Sequence, residues 1–356
     1  MKHGCLCLAV LLFFAGSAGA QTPQTAPPPP AAPPAEPTYP VVRVGVLSYL
    51  QYDAELRNRE GFNAFDVTRS YLNVNGQLSR NVRFRITPDI RRFTDVSGQL
   101  GSSLVFRIKY AFVQFDNVGA TRSWVRFGIN QTPIVDFEES INRYRVQGMV
   151  FSEREPVIPG SGDAGVSYFT PLPGNFGETH VGVFNGEGFG NVEINKHKSA
   201  QGRLTIRPFP SRGLANGFRV TGFLTAGWYA PDRPRHVGIA MASYEHRHVA
   251  ATLQRLVATD HPLTTTRDAD RSGWSMFIEP RQGPSGWAGI ARFESFDPDH
   301  AVADNSHWRS IVGGAYWFVW NSSRLALVAT NEQVHYDAGA ARPTENRLLL
   351  QTHVEF

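Results

Sequence analysis

Short segments in which apolar and polar side chains alternate run through residues 41–356. Between Leu104 and Tyr110 every second residue is apolar, and Arg107 and Lys109 lie among the residues between them. Because successive side chains of a β-strand point to opposite faces, such a segment has one apolar face and one polar face. No comparably long stretch places its apolar residues at helical spacing. The pattern predicts an all-β domain, with Tyr110 on the apolar face of its strand.

The alternating segments give about 16 predicted strands, bounded by turn residues and by breaks in the pattern. Short joins, such as the one at 79–80, mostly alternate along the chain with longer connections, such as 133–163. Outer-membrane barrels alternate short periplasmic turns and longer external loops in this way. The predicted fold is therefore a transmembrane antiparallel β-barrel. Its strands are predicted at 41–52, 65–78, 81–92, 104–116, 123–132, 164–170, 179–185, 201–208, 217–229, 237–247, 248–259, 272–280, 287–296, 308–319, 323–336 and 346–356.

The last predicted strand is a second indication of a barrel. Counting back from the terminus, one face carries Phe356, Val354, Leu350 and Leu348, with Thr352 as its polar member. A last strand that ends in phenylalanine is the pattern by which outer-membrane barrels are recognised for assembly, which predicts the barrel assembly machinery as a partner. This strand must also pair with the first one, because an open edge in lipid leaves backbone groups without hydrogen bonds.

Aromatic residues occur near the predicted strand ends. Amphipathic rings favour the boundary between lipid and water, so we expect girdles of them at the membrane surfaces. The residues concerned are Trp228, Tyr229, Trp274, Trp287, Trp308, Trp317, Trp320, Tyr336 and Phe356.

The start of the chain differs from the rest. Residues 1–20 have a basic start, an apolar middle and an Ala18-Gly19-Ala20 site, which predicts a cleaved signal peptide. Residues 21–40 are rich in proline, alanine and threonine, which predicts an extended periplasmic linker ahead of a barrel at 41–356. Both cysteines lie in the predicted signal peptide, so we expect no disulfide and no cysteine metal site in the mature chain.

Bulk composition argues against several classes of function. Hydrophobic residues make up 42% of the chain, yet no apolar run is long enough for a transmembrane helix. The formal net charge of +4 is too small and too dispersed to indicate a nucleic-acid-binding protein. His246 and His248 can share one strand face, but no carboxylate or cysteine completes a recognisable metal site with them. We therefore expect no metal, no cofactor and no enzyme activity.

Several short motifs are spread over most of residues 41–356. They are Arg126-Phe127-Gly128 with Pro133 and Phe137-Glu138, Glu153-Arg154 with Asp163 and Gly165-Val166, Val181 to Gly186, Gly202-Arg203-Leu204 with Arg207-Pro208, and Arg292-Phe293 with Asp297-Pro298-Asp299 and the terminal Phe356. Together they resemble the phosphate-selective porin O and P family. The resemblance implies a trimeric barrel whose third loop, Pro133–Gly162, folds inward and narrows an arginine-lined, anion-attracting channel. Many relatives carry a lysine where this chain has Gln131-Thr132, so specificity for phosphate stays open.

The residues expected to carry the function are polar side chains opposite the apolar strand faces. Arginine suits a channel wall, because it stays charged and presents a planar fork to phosphate or carboxylate. An arginine that faces lipid near the membrane centre costs about 2–4 kcal/mol, which favours the inward face. Alternatively these residues are solvated charges paired with Asp89, Asp116 or Glu294. The predicted pore-lining, anion-binding residues are Arg83, Arg85, Arg91, Arg107, Lys109, Arg126, Arg203, Arg207 and Arg219.

The long third loop carries charges of both signs. We expect salt bridges that tie it to the barrel wall and an electric field across the constriction, and the alternative is a solvated external loop. Its predicted constriction residues are Asp136, Glu138, Glu139, Arg143, Arg145, Glu153 and Arg154.

These patterns predict a porin in the outer membrane of a Gram-negative bacterium, surrounded by outer-membrane lipid and open to small anionic or neutral solutes, and the resemblance implies that it is a homotrimer. Two alternatives remain open. One is a non-conducting barrel whose proline-rich arm tethers the envelope. The other is a hydrolase on a barrel scaffold, for which Ser243 and His246 are adjacent candidates. Three residues apart on a strand, these two face opposite sides.

Overall fold

The structure is a computed structural model. The described chain forms one β-sheet, with short helical segments in the connections between strands. The predicted signal peptide and residues 21–37 of the predicted linker lie outside the described residues. No helix of the described residues is long and apolar enough to cross a membrane. The structure describes residues 38–93, 101–155, 157–230, 233–262 and 267–356.

The described residues form 16 strands, and the two α-helices both lie between β5 and β6. The strands are β1 Val41–Arg57, β2 Asn63–Ser79, β3 Val82–Arg92, β4 Leu104–Asp116, β5 Trp124–Gln131, β6 Gly162–Pro171, β7 Gly177–Phe184, β8 Ser199–Ile206, β9 Phe218–Ala230, β10 Arg233–His246, β11 Val249–Asp260, β12 Ala269–Pro280, β13 Gly286–Asp297, β14 His307–Trp320, β15 Ser323–Tyr336 and β16 Glu345–Glu355. The helices are α1 Pro133–Ile141 and α2 Phe151–Arg154.

The sheet closes on itself. Each strand pairs antiparallel with its neighbours in the sequence, and β1 pairs with β16. At this seam Leu47 lies opposite Glu355, and Val46 and Phe356 exchange backbone hydrogen bonds of 2.9 and 3.0 Å. Closure removes free strand edges, which is the requirement for a sheet that crosses lipid. The predicted antiparallel barrel of about 16 strands is confirmed.

Most of the short turns and most of the long loops lie at opposite ends of the barrel. The turns 80–81, 247–248 and 321–322 share one end with the start of β1 and the end of β16, and we call this the turn end. Most of the longer loops, including 185–198, lie at the other end, the loop end, whereas the connection 207–217 lies at the turn end. The predicted connection 53–64 shortens to 58–62, because β1 and β2 both extend beyond their predicted bounds.

Strand alternation places one side chain outside the barrel and the next inside. On β5, Phe127 is 64% exposed at the outer surface, whereas Asn130 is fully buried inside. On β9, Leu224 is 72% exposed outside, but the inward Phe223 is also apolar and is buried. The inner face of this side of the barrel therefore needs an apolar cover of its own.

The predicted orientation of Tyr110 is wrong. Thr87 of β3 lies opposite Tyr110, and the following Pro88 lies opposite Ile108, so β4 contains one extra residue, Lys109. Proline has no N–H to donate to the ladder, and a bulge of this kind lets the two strands stay paired around it. As a result Lys109 and Tyr110 are both buried inside the barrel, whereas Ile108 is exposed outside.

Candidate functional site

The inner loop, residues 132–161, joins β5 to β6 and folds into the barrel. Its two ends stay side by side, because the N–H of Thr132 donates to the carbonyl of Ser161 over 3.1 Å. The Thr132 hydroxyl also donates to the carbonyl of Gly160 over 2.9 Å. Proline at the first position of α1 presets a helical backbone where the chain leaves the wall. The predicted inward folding of the third loop is confirmed.

Apolar side chains of the inner loop cover the apolar inner wall. Ile134, Val135 and Phe151 are completely buried in this contact. Full burial of a side chain of this size contributes about 1.5–3 kcal/mol, so the contact holds the loop against one side of the barrel. This cover explains the inward apolar residues that a water-filled barrel would not have. The wall residues in the contact include Phe223, Val237, Ile239, Leu256 and Phe296.

A second contact centres on Tyr144 of the inner loop. Its ring lies 6.3 Å from the ring of Phe277 and 5.8 Å from that of Trp317. The indole N–H of Trp317 donates to the Tyr144 hydroxyl over 3.2 Å, and this hydroxyl donates to Glu279 over 2.7 Å. The prediction that Trp317 belongs to a membrane girdle is wrong, because β14 turns it inward and the loop supplies its partner.

Two buried carboxylates of the wall hold charged residues of the inner loop. Glu279 on β12 is fully buried, and its carboxylate lies 2.5 Å from the guanidinium of Arg143. Glu294 on β13 is 2% exposed and lies 2.6 Å from Arg154. A buried pair of this kind depends on both partners, because removal of one leaves an uncompensated charge away from water. The loop is thus tied to the wall by charge as well as by apolar burial.

Other charged side chains fold the inner loop on itself. The guanidinium of Arg145 lies 3.1 Å from the carboxylate of Glu139 and 2.5 Å from that of Glu153. Glu138 accepts a hydrogen bond from the Ser152 hydroxyl over 2.6 Å, which joins α1 to α2. Together with the two contacts to the wall, these contacts pair most of the charged side chains of the inner loop.

Asp136 differs from these loop residues. It is exposed on α1 and forms no ion pair with any residue in the described ranges. It interacts electrostatically with Arg126 of the facing wall. A carboxylate on the loop and cations on the wall give a field across the space between them.

The wall formed by β2 to β5 is basic. Buried Asp89 lies 2.8 Å from Arg107 and 3.7 Å from Arg69. Lys109 is 4% exposed and donates to the Tyr71 hydroxyl over 3.3 Å. Arg107 and Lys109 therefore face inward, as their strand position requires, but both are engaged by neighbours.

A cavity of about 710 Å³ lies at the turn end of the lumen, against β1 to β5. We call it the arginine cavity, because five arginines and one carboxylate, Asp116, line it. Arg83 pairs with Asp116 over 2.7 Å. The other four have no carboxylate within ion-pair distance in the part of the chain that the structure describes. The five are Arg43, Arg83, Arg85, Arg122 and Arg126.

Neutral side chains hold two of these arginines in place. Arg126 donates to Gln131 over 2.7 Å, and its guanidinium lies 3.9 Å from the centroid of the Trp124 ring. Arg85 donates to Asn73 over 2.9 Å. Amide oxygens and aromatic faces orient a guanidinium without cancelling its charge. The cavity consequently keeps a positive potential.

Two other predicted wall residues are paired elsewhere in the lumen. Arg203 lies 2.8 Å from Glu178 and also donates to the carbonyl of Pro133 over 2.9 Å. Arg219 lies 3.0 Å from Glu245. These arginines match the alternative expectation of paired wall charges, and Arg203 also supports the root of the inner loop.

The remaining predicted wall residues lie near the barrel ends. Arg91 is on the inward face at the loop end of β3, and Arg207 follows β8 at the turn end. Sequence reasoning missed Arg43 and Arg122 of the arginine cavity. Arg43 alternates with two valines and could have been found from that pattern. Arg122 lies in a turn and carries no periodic signal.

A second cavity, of about 470 Å³, lies at the loop end beside β13 to β16. Its arginines include Arg154, Arg309 and Arg347. Arg347 lies 2.6 Å from Glu332, Arg309 contacts the same carboxylate, and Arg154 is held by Glu294. Charge at this end of the lumen is compensated, in contrast to the arginine cavity.

The loop 185–198 covers the point where the inner loop rejoins the wall. The N–H of Phe189 donates to the carbonyl of Gly162 over 2.9 Å. Burial, together with the negative charge of Glu193, raises the pKa of Glu187 in this loop to about 7. The Glu187 carboxyl is therefore about half protonated near neutral pH, unlike an ordinary glutamate.

Solved bacterial outer-membrane proteins have this architecture. An anion-selective porin from Comamonas acidovorans matches with a TM-score of 0.61 and 13% identity, over 89% of this chain and 100% of that one. The outer membrane channel DcaP of Acinetobacter baumannii matches with a TM-score of 0.60 and 10% identity, over 89% and 97%. A trimer form of OmpT from Vibrio cholerae matches with a TM-score of 0.58 and 10% identity, over 89% of this chain and 99% of that one. This chain has a porin fold.

No protein-family model and no curated protein matches the chain. The porin fold is thus established by structure alone, at identities that carry no information on the solute. The described residues bring no three metal-ligating side chains together. Ser243 is buried on the inward side of β10, and His246 lies on its outward side, so the two do not form a catalytic pair.

The first prediction concerns the attachment of the inner loop. Glu279→Gln leaves Arg143 without its charge partner, so we expect the free energy of unfolding to fall by about 3–5 kcal/mol. Urea unfolding of the purified protein in detergent micelles measures this. The control is Glu345→Gln, whose partner Arg342 is exposed, with an expected change below about 1 kcal/mol. Equal stability of Glu279→Gln and wild type would remove Glu279 from the attachment.

The second prediction concerns pH. Because the folded pKa of Glu187 is raised, its contribution to loop stability is fully present below the usual glutamate pKa and is lost as pH rises through about 7. We expect trypsin to cleave loop 185–198 faster in wild type than in Glu187→Gln at about pH 8, and at similar rates at about pH 5. The ratio of the two rates cancels the pH dependence of trypsin. A ratio that stays constant across this range would contradict the shift.

Proposed function

We propose that this protein is a bacterial outer-membrane porin that admits small hydrophilic solutes by passive diffusion and prefers anions, phosphate among them. The observation that carries the proposal is the arginine cavity, in which five arginines and one carboxylate line the lumen of a closed barrel. Uncompensated cations between low-dielectric walls concentrate anions. A pore of suitable size and field needs no reacting group.

The chemistry of the guanidinium supports anions with planar or tetrahedral oxygens. Arginine stays charged and offers paired N–H donors to carboxylate or phosphate. Arg43 and Arg122 are exposed, while Arg85 and Arg126 are held by neutral partners. An anion can pass from one to the next and meets Asp116 as the carboxylate of the cavity. Weak, repeated binding of this kind is compatible with conduction.

The exterior supports a membrane location. Exposed apolar side chains such as Phe106, Phe127 and Leu224 suit outer-membrane lipid as the surroundings. We place the turn end in the periplasm, together with the linker at 21–40 once the signal peptide at 1–20 is removed. The closing strand β16 suits recognition by the barrel assembly machinery. The trimer form of the Vibrio structure supports a homotrimer.

The test is electrical measurement in planar lipid bilayers. We expect discrete conductance steps. In a potassium chloride gradient we expect a reversal potential whose sign shows that chloride permeates more readily than potassium. In the double variant Arg43→Gln with Arg122→Gln, two exposed and uncompensated charges are lost. We expect the anion-to-cation permeability ratio to fall about two- to tenfold, and block by added phosphate to weaken.

The control is Arg255→Gln, which removes one arginine charge from the outer surface of the barrel. It should keep the wild-type reversal potential. Absence of steps in the wild type would favour the envelope tether instead. Cation selectivity, or unchanged selectivity in the double variant, would overturn the role given to the arginine cavity.

A further inference from the structure

Arg255 stands on the outer face of the barrel, contrary to the inward placement expected of strand arginines. Its neighbours Gln254 and Leu256 are buried inside the barrel. Leu253 and Val257, two residues away on either side, are 45% and 48% exposed outside. Strand alternation therefore directs Arg255 toward the lipid-facing surface.

The surroundings of Arg255 leave its donors unused. Its guanidinium lies over the Trp274 ring, 5.1 Å from the centroid. Across the described ranges no carboxylate or hydrogen-bond acceptor reaches it. A guanidinium has five N–H donors, and an aromatic face orients the charge without accepting all of them. The site calls for an anionic ligand from outside the chain.

Arg255 lies near the loop-end edge of the apolar band, one outward position before Val257 on β11. Trp274 lies directly opposite Arg255. Toward the loop end the outward residues of β12 are Ser272 and Asp270, and toward the turn end they are Met276 and Ile278. Tryptophan at such a change from polar to apolar side chains marks a membrane interface. Headgroup phosphates lie just beyond this depth, within reach of an arginine side chain that extends toward the interface.

An apolar groove of about 640 Å³ begins at Arg255 and crosses β10 and β9 toward β8. Three of its lining residues, Gly202, Gly222 and Gly238, have no side chain that could fill it. Ala240 lies opposite both Arg255 and Gly222, so the groove is continuous with the cation. Its lining suits a hydrocarbon chain and offers few hydrogen-bonding groups.

We propose that the outer face of β8 to β12 binds a membrane lipid with an anionic phosphate headgroup. The phosphate takes the N–H donors of Arg255, and one acyl chain lies in the groove over Gly222. Charge complementarity favours this occupant over a second copy of the chain, because the groove joins a single unpaired cation to an apolar trough. The inference rests on the membrane location proposed above.

The test is native mass spectrometry of the purified protein in detergent, with phosphatidylglycerol added. Arg255→Gln removes the headgroup contact. Gly222→Leu fills the groove, and the new Cβ has no protein atom within 4 Å, so the barrel should fold normally. We expect each variant to lose about tenfold in bound phosphatidylglycerol, and phosphate-free diacylglycerol to bind weakly to every form. Arg43→Gln, which changes the lumen, should bind like wild type.

Three results would overturn the proposal. Equal binding by Arg255→Gln would remove the headgroup contact, and displacement by inorganic phosphate alone would make the ligand free phosphate. A smaller oligomer for Arg255→Gln would make this face a contact between copies. Failure of the porin proposal is distinguishable, because the reversal potential responds to Arg43 and Arg122, whereas lipid binding responds to Arg255 and Gly222.

Discussion

Buried ion pairs between the inner loop and Glu279 and Glu294 determine the shape of the lumen. They press the loop against β9 to β14, and apolar side chains then fill the contact. Because a buried carboxylate without its cation is costly, neither the loop nor this part of the wall is stable in its present form alone. The opposite wall, β1 to β5, is left to border the arginine cavity.

The same constraint divides the charges of the lumen into two kinds. Arginines near the inner loop and at the loop end are matched with carboxylates, as Arg347 is with Glu332, and they serve mainly to hold structure. In the arginine cavity, by contrast, Arg85 and Arg126 are positioned by amides and rings, as Arg126 is by Gln131. Only these arginines with neutral partners keep a charge that a solute can bind. Gln131, a departure from the family that the motifs resemble, therefore has a role in orienting a cation.

The period of two was enough to predict the barrel and its strands, because one face of each strand must meet lipid. The inward third loop was predicted only from the resemblance of the short motifs to a known family. The period failed where an inward residue meets protein instead of water, as at Trp317, and where Pro88 forces a bulge that turns Tyr110 inward. Pairing of arginines could not be predicted either, since it depends on residues far apart in sequence. Arg122 lies in a turn, where no periodicity exists.

The most direct test of the arginine cavity as an anion site is anomalous diffraction from crystals soaked separately in bromide and in rubidium salts. We predict bromide peaks beside Arg85 and Arg126 and no rubidium peak in the same cavity. Rubidium in the cavity, or bromide found only at other surfaces, would contradict an anion-attracting lumen.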